Sequence, residues 1–429
     1  MPASMPVPWV SAQAGINGKF FVPRLLHREG RLAAMIVPFW YNRKQFSHRI
    51  LQKAYWNMPN FYHSELEGAR IHSLLVKKVW FELSRYHKRK SLEAWGFVDL
   101  CNRRFQRDLL SICQSHSFRT LREGNPGIFI SWSDISLEAI RFFHSIGWKT
   151  VTMQLNCGTL EESLIETECQ RYPNMREKSY LAVPGFHERT LQEYQETDHI
   201  ISNSNWGRDF LLSQGIPKEK ISLIPFAFEG TNERKFHRIY PESFNSGRPL
   251  RVLHIGQMSL RKGIGRFFEA IESMRDLPVE FTFAGSVNVP ITPEILSNCK
   301  VRILGVVPLE KINELYRDSD VFLFPTLSDA FGLTQLECMA WKLPLVASRH
   351  CGDVVLPGVN GLRLETVTAD NIIGAVRHFL NRPDDLPRFS NGCCIPNKCS
   401  LKYFGESLLR IESILYPLSD KLTNSTEVT

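Results

Sequence analysis

Two acidic residues stand eight positions apart around a Phe-Gly turn, in the stretch DAFGLTQLE. Asp329 opens the stretch and Glu337 closes it, and apolar runs flank it on both sides. Gly332 lies between the acids, and a residue without a side chain lets a ligand approach the backbone closely. Because carboxylates accept hydrogen bonds from hydroxyl groups, the spacing predicts contacts to two hydroxyl-bearing groups on either side of the turn.

A phosphate site is predicted between the two acids. The apolar spacing predicts a helix that starts near Gly332, and the unpaired amides of a helix N-terminus suit an anion. A second stretch, GQMSLRKG, supplies Arg261 and Lys262 just after a predicted strand that ends at Gly256. Arg bonds phosphate oxygens through its fork, and Lys adds a point charge. Hydroxyl, diphosphate and hydroxyl in this order describe a nucleotide sugar.

The elements that must position these residues alternate between strand and helix. In the C-terminal half, strands are predicted at 249–256, 279–285, 301–305, 320–326 and 344–348, with helices at 263–274 and 309–319. This alternation predicts a parallel sheet with helices on both faces. Ligands of such sheets lie beyond the carboxyl ends of the strands, where both stretches occur.

The N-terminal half repeats the pattern. A strand at 127–133 precedes a helix at 134–147, with Asp134 as N-cap, and a strand at 149–155 follows. Nearer the start, residues 15–30 are predicted to form a Gly-containing turn and then a helix closed by Gly30, and a buried strand follows over 31–40. The predicted fold class is therefore α/β, with two Rossmann-like doubly wound domains facing each other across a cleft.

Two domains also fit a length of 429 residues, which exceeds what one core supports. A polar segment with Gly, Pro and Asn is interpreted as the linker. The predicted boundaries are 1–228 for the N-terminal domain, 229–248 for the linker, 249–400 for the C-terminal domain and 401–418 for a final helix. That helix is expected to pack back toward the N-terminal domain.

The charge is unevenly distributed. The chain carries a net charge of +8, but residues 1–150 hold 22 Lys and Arg against 10 Asp and Glu. A basic N-terminal half suggests an anionic partner, for which an acidic glycan or an anionic membrane surface fits; ordinary surface charge is the bland alternative. Nucleic acid is not favoured, because the basic residues form no recognised binding module. A basic amphipathic helix predicted over 69–90 suits either a membrane surface or packing on the protein's own sheet.

The location expected from the sequence is cytoplasmic, with peripheral attachment to a membrane face through the basic half. No basic segment followed by an apolar one opens the chain, and the apolar run at 32–42 is too short to span a bilayer. Ten cysteines without a secretion signal suggest free thiols. Cys393, Cys394 and Cys399 cluster, but no CxxC pair occurs, so buried or idle thiols are favoured over a metal site.

These motifs carry a family resemblance. The C-terminal half resembles the family-4 glycosyltransferases of GT-B fold (glycosyl transferases group 1) in GQMSLRKGIGRFFEAI, VEFTFAG, the long stretch from VRILG to PLVAS, and GVNGLRLE. The N-terminal half is similar more weakly, through SLEAIRFFHSIGWKTV and the stretch around SNSNWGRDFLLSQG. The resemblance covers about residues 127–365, and its two acids eight positions apart match the family's signature.

The resemblance implies a role for each matching residue. Glu337 would bind the ribose hydroxyls, Asp329 the hydroxyls of the transferred sugar, and Arg261 with Lys262 the diphosphate. The amides of Phe331, Gly332, Leu333 and Thr334 would add to the anion site, Gly256 would line it, and Val306 and Val307 would contact the base. The implied reaction moves a sugar from a nucleotide-diphosphate sugar to a glycan or lipid-linked acceptor, as in polysaccharide or lipopolysaccharide synthesis. It proceeds with retention, without a bound metal and without a resident cofactor, and the N-terminal domain faces the acceptor.

Four departures from the family pattern bear on this interpretation. Asp329 replaces the usual Glu, Gln257 stands where many members have Arg, and Gln154 stands where many have His. Gly15 and Gly18 are the only candidates for the family's glycine loop. A degenerate, non-catalytic GT-B protein that binds a partner through its basic half is therefore the alternative. Another GT-B enzyme, such as a nucleotide-sugar epimerase, fits the acid pair less well.

Overall fold

The structure is a computed structural model, and it describes residues 6–15, 17–40, 61–73, 94–175, 184–230 and 236–417. Its strands form two sheets, and every strand pair in both sheets is parallel. Helices cover both sheets, so strands such as Ile128–Trp132 are buried along their whole length. The predicted α/β class with two doubly wound domains is confirmed.

The N-terminal sheet has seven strands in the order β3-β2-β1-β4-β5-β6-β7. Its strands are β1 Trp9–Ala12, β2 Leu32–Val37, β3 Ile71–Ser73, β4 Ile128–Trp132, β5 Lys149–Met153, β6 His199–Ser202 and β7 Ile221–Leu223. Its helices are α1 Phe21–Arg28, α2 Ala94–Gln114, α3 Arg119–Arg122, α4 Leu137–Ser145, α5 Gly158–Arg171, α6 Phe186–Glu196 and α7 Asn205–Ser213. The strand order reverses between β1 and β4, which is where such sheets leave a crevice for ligands.

The C-terminal sheet has six strands in the order β10-β9-β8-β11-β12-β13. Its strands are β8 Leu250–Ile255, β9 Val279–Ala284, β10 Val301–Ile303, β11 Val321–Phe324, β12 Leu345–Ser348 and β13 Gly361–Leu364. Its helices are α8 Ile264–Glu272, α9 Pro293–Leu296, α10 Leu309–Asp318, α11 Thr334–Ala340, α12 Ala369–Asn381 and α13 Asp385–Gly392, and the chain then continues into α14 Leu401–Leu415. The reversal here falls between β8 and β11, the two strands that precede the two motifs.

Three local predictions need correction. The helix predicted over 134–147 begins only at Leu137, because Asp134 adopts a φ of 74° that a helix does not allow. The helix predicted to start near Gly332 begins at Thr334. The basic helix predicted over 69–90 is wrong at its start, because Ile71–Ser73 pairs with β2 as an edge strand. The rest of that prediction, 74–90, lies outside the described residues.

Side chains from the last helix reach the N-terminal domain. The rings of Phe404 in α14 and Phe21 in α1 meet edge to face with centroids 4.6 Å apart. Trp9 Nε1 of β1 donates a hydrogen bond of 2.7 Å to Glu412 of α14. The chain therefore returns from the C-terminal sheet to the N-terminal one, although the exact domain boundaries stay a prediction.

Candidate active site

A cavity of about 370 Å³ lies between the two sheets, at the carboxyl ends of their central strands. The N-terminal domain contributes Gly18, Trp132 at the end of β4, Gln154 after β5, Leu155 and Phe226. The C-terminal domain contributes Ile255, Gly256, Gln257, Lys262, Phe324 and the run from Asp329 to Thr334. The fold thus brings both sequence motifs to one cleft, as the strand order predicts.

Lys262 enters this cavity from a tight turn between β8 and α8. The hydroxyl of Ser259 accepts a hydrogen bond of 3.3 Å from the Lys262 amide and closes a short 3-10 turn over Leu260–Lys262. Gly263 then takes a φ of 74°, and a side chain there would collide with the carbonyl of Pro325. This close approach fixes the lysine beside the residues that follow β11.

The Lys262 ammonium and the Asp329 carboxylate form an ion pair in the wall of the cavity. Both side chains are largely buried, with exposures of 9% and 17%. The ammonium also lies 4.9 Å from the centre of the Phe324 ring, a cation–π distance. Burial lowers the pKa of Lys262, and Asp329 opposes that effect. Burial on its own would raise the pKa of Asp329, but Lys262 and Arg261 outweigh it, so that pKa lies below its usual value.

The Phe-Gly turn forms the part of the cavity wall next to Lys262. Asp329 Oδ1 accepts a hydrogen bond of 3.2 Å from the Phe331 amide, so that amide is already used within the protein. Gly332 has a φ of 77°, and a Cβ there would lie 2.7 Å from the Phe324 ring. The following helix, Thr334–Ala340, begins two residues after Gly332. Anion binding by the amides of the turn stays a prediction.

Arg261 turns away from the cavity and toward the N-terminal domain. Its Nη1 donates 3.0 Å to the Ser328 carbonyl, and its Nε lies 3.8 Å from Glu161 in the first turns of α5. Glu161 is 4% exposed and accepts a further bond of 2.7 Å from the Ser328 hydroxyl. Trp206 of α7 donates to the same hydroxyl at 3.1 Å. Arg261 is not among the residues that line the cavity, and diphosphate binding by this residue stays a prediction.

Glu337 lies one turn into α11, outside the cavity wall. Its carboxylate accepts a hydrogen bond of 2.7 Å from the hydroxyl of Tyr316 in α10. The segment after β10 borders α10, and there Val306 is 81% exposed while Val307 packs against the core. The helix α10 thus contacts the second acid through Tyr316 and follows the two valines directly in the chain. The roles predicted for these three residues are untested.

Gln154 is built into the N-terminal domain. Its amide nitrogen donates to the carbonyls of Asn156 and Gly207, and its oxygen accepts a bond of 2.7 Å from the Ser202 hydroxyl. Both the nitrogen and the oxygen of this amide are therefore bonded within the N-terminal domain, so the side chain lines the cavity in a fixed orientation. Gln257 lines the cavity, but an amide brings no positive charge to replace the arginine common at this position.

Sequence reasoning missed several residues that build this region. Glu161 and Trp206 of the N-terminal domain both bond the Ser328 hydroxyl of the C-terminal domain, and the Tyr316 hydroxyl donates to Glu337. Glu193 caps α4, accepting bonds from the amides of Ser136 and Leu137 at 2.8 and 3.0 Å, where Asp134 was predicted to act. Burial raises the pKa of Glu193 to about 8. No spacing signal points to these residues, since each partner is distant in sequence.

The cysteine cluster carries no metal geometry. Cys393 and Cys399 are buried and Cys394 is exposed, and all three thiols are free. Within the part of the chain that the structure describes, no group of three or more His, Cys, Asp or Glu could hold a metal ion. In the same part of the chain, no helix is both long and apolar enough to cross a membrane.

The fold and the cleft define a class: two Rossmann-like domains that face each other and leave a ligand cavity at their carboxyl edges make a GT-B protein. The HepE protein of Anabaena, solved in complex with UDP-glucose, shares this fold with a TM-score of 0.57 and 11% identity over 95% of this chain and 99% of that one. Residues 249–382 match the family model of the glycosyl transferases group 1. The C-terminal domain is therefore similar to that family over the segment that carries the predicted motifs.

Several curated relatives match part of the chain. The amylovoran biosynthesis glycosyltransferase AmsK of Erwinia amylovora is 29% identical over 179 residues, which cover 37% of this chain and 41% of the relative. The alpha-galactosylglucosyldiacylglycerol synthase of Streptococcus pneumoniae is 26% identical over 168 residues, 36% of this chain and 44% of the relative. The matched part thus spans less than half the length of either relative.

Proposed function

We propose that this protein is a glycosyltransferase that moves a sugar from a nucleotide-diphosphate sugar to a glycan or lipid-linked acceptor, with retention and without a metal. The observation that carries the proposal is the buried Lys262–Asp329 pair, which lies beside the Gly332 turn in a cavity shared by both domains. HepE was solved with UDP-glucose, and the two relatives are named for making a polysaccharide and a glycolipid. These names support a uridine nucleotide and an acceptor of either kind.

Each residue has a proposed task. Lys262 moves from Asp329 to the diphosphate and stabilises the negative charge that grows on the leaving group. Asp329, once released, accepts hydrogen bonds from hydroxyls of the sugar. Glu337 binds the ribose hydroxyls, with Tyr316 keeping its carboxylate oriented, and Val306 and Val307 lie against the base. Preorganised charge and positioning supply the catalysis, and no protein nucleophile is needed.

A non-catalytic protein that binds a partner is the second candidate. The cavity contains one lysine where the family pattern would add an arginine, because position 257 is Gln and Arg261 contacts Glu161 and Ser328. Such a protein would still bind a nucleotide but would not transfer sugar. Release of UDP from UDP-sugars in the presence of cell-envelope extracts separates the two candidates.

The experiment that tests the donor site is thermal stabilisation by UDP, GDP and ADP, each with and without its common sugars. A ligand that binds the folded state raises the melting temperature with its occupancy. We expect a shift with one nucleotide, and we expect Glu337→Gln to weaken it while Glu310→Gln, an exposed acid on α10, leaves it in place. No shift with any of these ligands would contradict the proposed donor site.

A further inference from the structure

A second cavity, of about 260 Å³, lies on the flank of the N-terminal domain between α2, α4 and α6. We propose that it binds a phosphoryl group, carried by a lipid headgroup or by a soluble phosphate. Its walls are Arg103, Gln106, Arg107 and Leu110 of α2, Glu138 of α4 and Arg189 of α6. Three guanidinium groups from two helices thus surround one cavity that contains a single carboxylate. This group is called the arginine cavity below.

The wall formed by Arg189 is rigid. Its guanidinium donates 2.8 Å to the side-chain oxygen of Gln106 and 2.8 Å to Glu138. Gln106 is 5% exposed, and its amide nitrogen donates 3.2 Å to the Asp134 carbonyl. A guanidinium that is already oriented loses little conformational entropy when an anion binds to it.

The wall formed by α2 carries a positive charge that no carboxylate among the described residues neutralises. Arg103 and Arg107 are one turn apart on α2, so their side chains share a face and repel each other. Arg103 is paired with Asp99 at 2.7 Å, whereas Arg107 makes no ion pair with any residue that the structure describes. Since Glu138 is already paired with Arg189, an anion in the cavity would relieve the repulsion.

The arrangement of the arginine side chains around the cavity favours a phosphoryl group. Arginine forks form charge-assisted hydrogen bonds to phosphate oxygens, and donors that approach from two sides match a tetrahedral group better than a flat carboxylate. The arginine cavity shares no lining residue with the cleft described above. It lies at the same edge of the sheet, because its lining residue Gln106 bonds the carbonyl of Asp134, which follows β4. Asp134 in turn accepts a hydrogen bond of 3.1 Å from Asn156, which follows β5.

The test is calorimetric titration of the full chain with inorganic phosphate at constant ionic strength, with and without saturating UDP. Arg107→Gln removes a side chain whose loss leaves no described partner unpaired, so the fold is expected to survive. We expect it to weaken phosphate binding by about tenfold or more, the loss of one charge-assisted contact. Arg119→Gln is the matched control, because it removes the same charge from an exposed pair with Glu123 elsewhere in the domain.

A second arm identifies the source of the phosphoryl group. Vesicles of phosphatidylcholine with phosphatidic acid are compared with phosphatidylcholine alone in a sedimentation assay. Binding that Arg107→Gln loses and Arg119→Gln keeps supports the proposal, and the arm in which it appears, vesicle or soluble phosphate, names the source. Equal loss in both variants, or phosphate binding that UDP abolishes and Arg107→Gln leaves intact, would overturn it. A failure of UDP to bind leaves this test unaffected, so the two proposals fail separately.

Discussion

At the scale of single residues, Lys262 and Arg261, the two cations of the GQMSLRKG motif, each lie beside a carboxylate of the protein in the part of the chain that the structure describes. Lys262 is matched by Asp329, and Arg261 by Glu161, so a diphosphate must displace at least one internal partner. The Lys262–Asp329 pair is the exchangeable one, because it lies in the cavity wall and Arg261 does not. Ligand binding should then free Asp329 for the sugar at the moment when Lys262 meets the phosphate.

The first prediction concerns this ion pair. Asp329→Ala leaves Lys262 buried without its counter-charge, which we expect to cost about 3 kcal/mol of unfolding free energy and to abolish sugar transfer, with a smaller loss of nucleotide binding. Denaturant unfolding and a transfer assay measure the two effects. The double variant Lys262→Met/Asp329→Leu removes both charges and should recover stability but not transfer. Transfer at the wild-type rate in Asp329→Ala would refute the role proposed for this acid.

At the scale of elements, the turn between β11 and α11 depends on a residue without a side chain. Gly332 combines a left-handed backbone with contact to the Phe324 ring, the same ring that lies under Lys262. The shape of the turn and the position of the ammonium are therefore linked through one aromatic side chain. A change in the turn should disturb donor binding even though Gly332 has no functional group.

The second prediction compares two glycines with the same φ of 77°, Gly332 and Gly358. An added Cβ at Gly358 meets nothing within 4 Å, whereas at Gly332 it lies 2.7 Å from Phe324. We expect Gly358→Ala to cost only the backbone strain, about 1 kcal/mol, and Gly332→Ala to cost more and to weaken nucleotide binding. Thermal unfolding with and without nucleotide measures both, and equal effects would show that the contact with Phe324 is unimportant.

The third prediction concerns pH and the elements around α1. Arg24 is 2% exposed and bonds Glu65 at 3.0 Å and Glu229 at 2.5 Å. The hydrogen bond from Arg24 lowers the pKa of Glu65 to about 2, despite some opposing burial. Because the folded-state pKa is depressed, the stabilisation is present above the unfolded value of 4.5 and is lost as pH falls toward 2.

In Glu65→Gln the melting temperature should therefore still decrease between pH 5 and pH 3, but by less than in the wild type. Glu67→Gln, two positions away and outside this network, is the control. An identical pH profile for wild type and Glu65→Gln would mean that the ion pair contributes nothing in solution.

At the scale of the whole molecule, the two domains meet along α5 and α8 as well as at the cleft. Glu168 of α5, 2% exposed, bonds Arg266 of α8 through three contacts of 2.5 to 3.0 Å. On the same two helices, Arg171 and Glu269 form a half-exposed pair at 3.2 Å. The buried pair should hold the domain arrangement far more strongly than the exposed one, because water screens the latter.

The fourth prediction is a pair of double-mutant cycles. We expect a coupling energy of about 2 kcal/mol between Glu168 and Arg266, and below about 1 kcal/mol between Arg171 and Glu269. Unfolding of the full chain under conditions where both domains melt together measures each cycle. Equal coupling energies would indicate that the two helices do not pack in solution as they do here.

The sequence by itself determined the architecture and the place of the candidate site. Strand and helix periods are local patterns, so the alternation, the two doubly wound domains and the edge where ligands bind could be predicted from it. Lys262 and Asp329 could be assigned to the same edge of one sheet, because each follows a predicted strand of the C-terminal half; the structure adds that these strands, β8 and β11, are neighbours. Gly332 could likewise be predicted to permit a close approach.

Only the tertiary structure decided which partner each charged side chain meets. Arg261 is adjacent to Lys262 in sequence, yet it turns to Glu161 of the other domain. Glu193 caps α4 from a distant helix, in place of Asp134. Such contacts depend on how the two sheets and their helices pack in space. A local sequence pattern does not predict which residues far apart in the chain come within bonding distance.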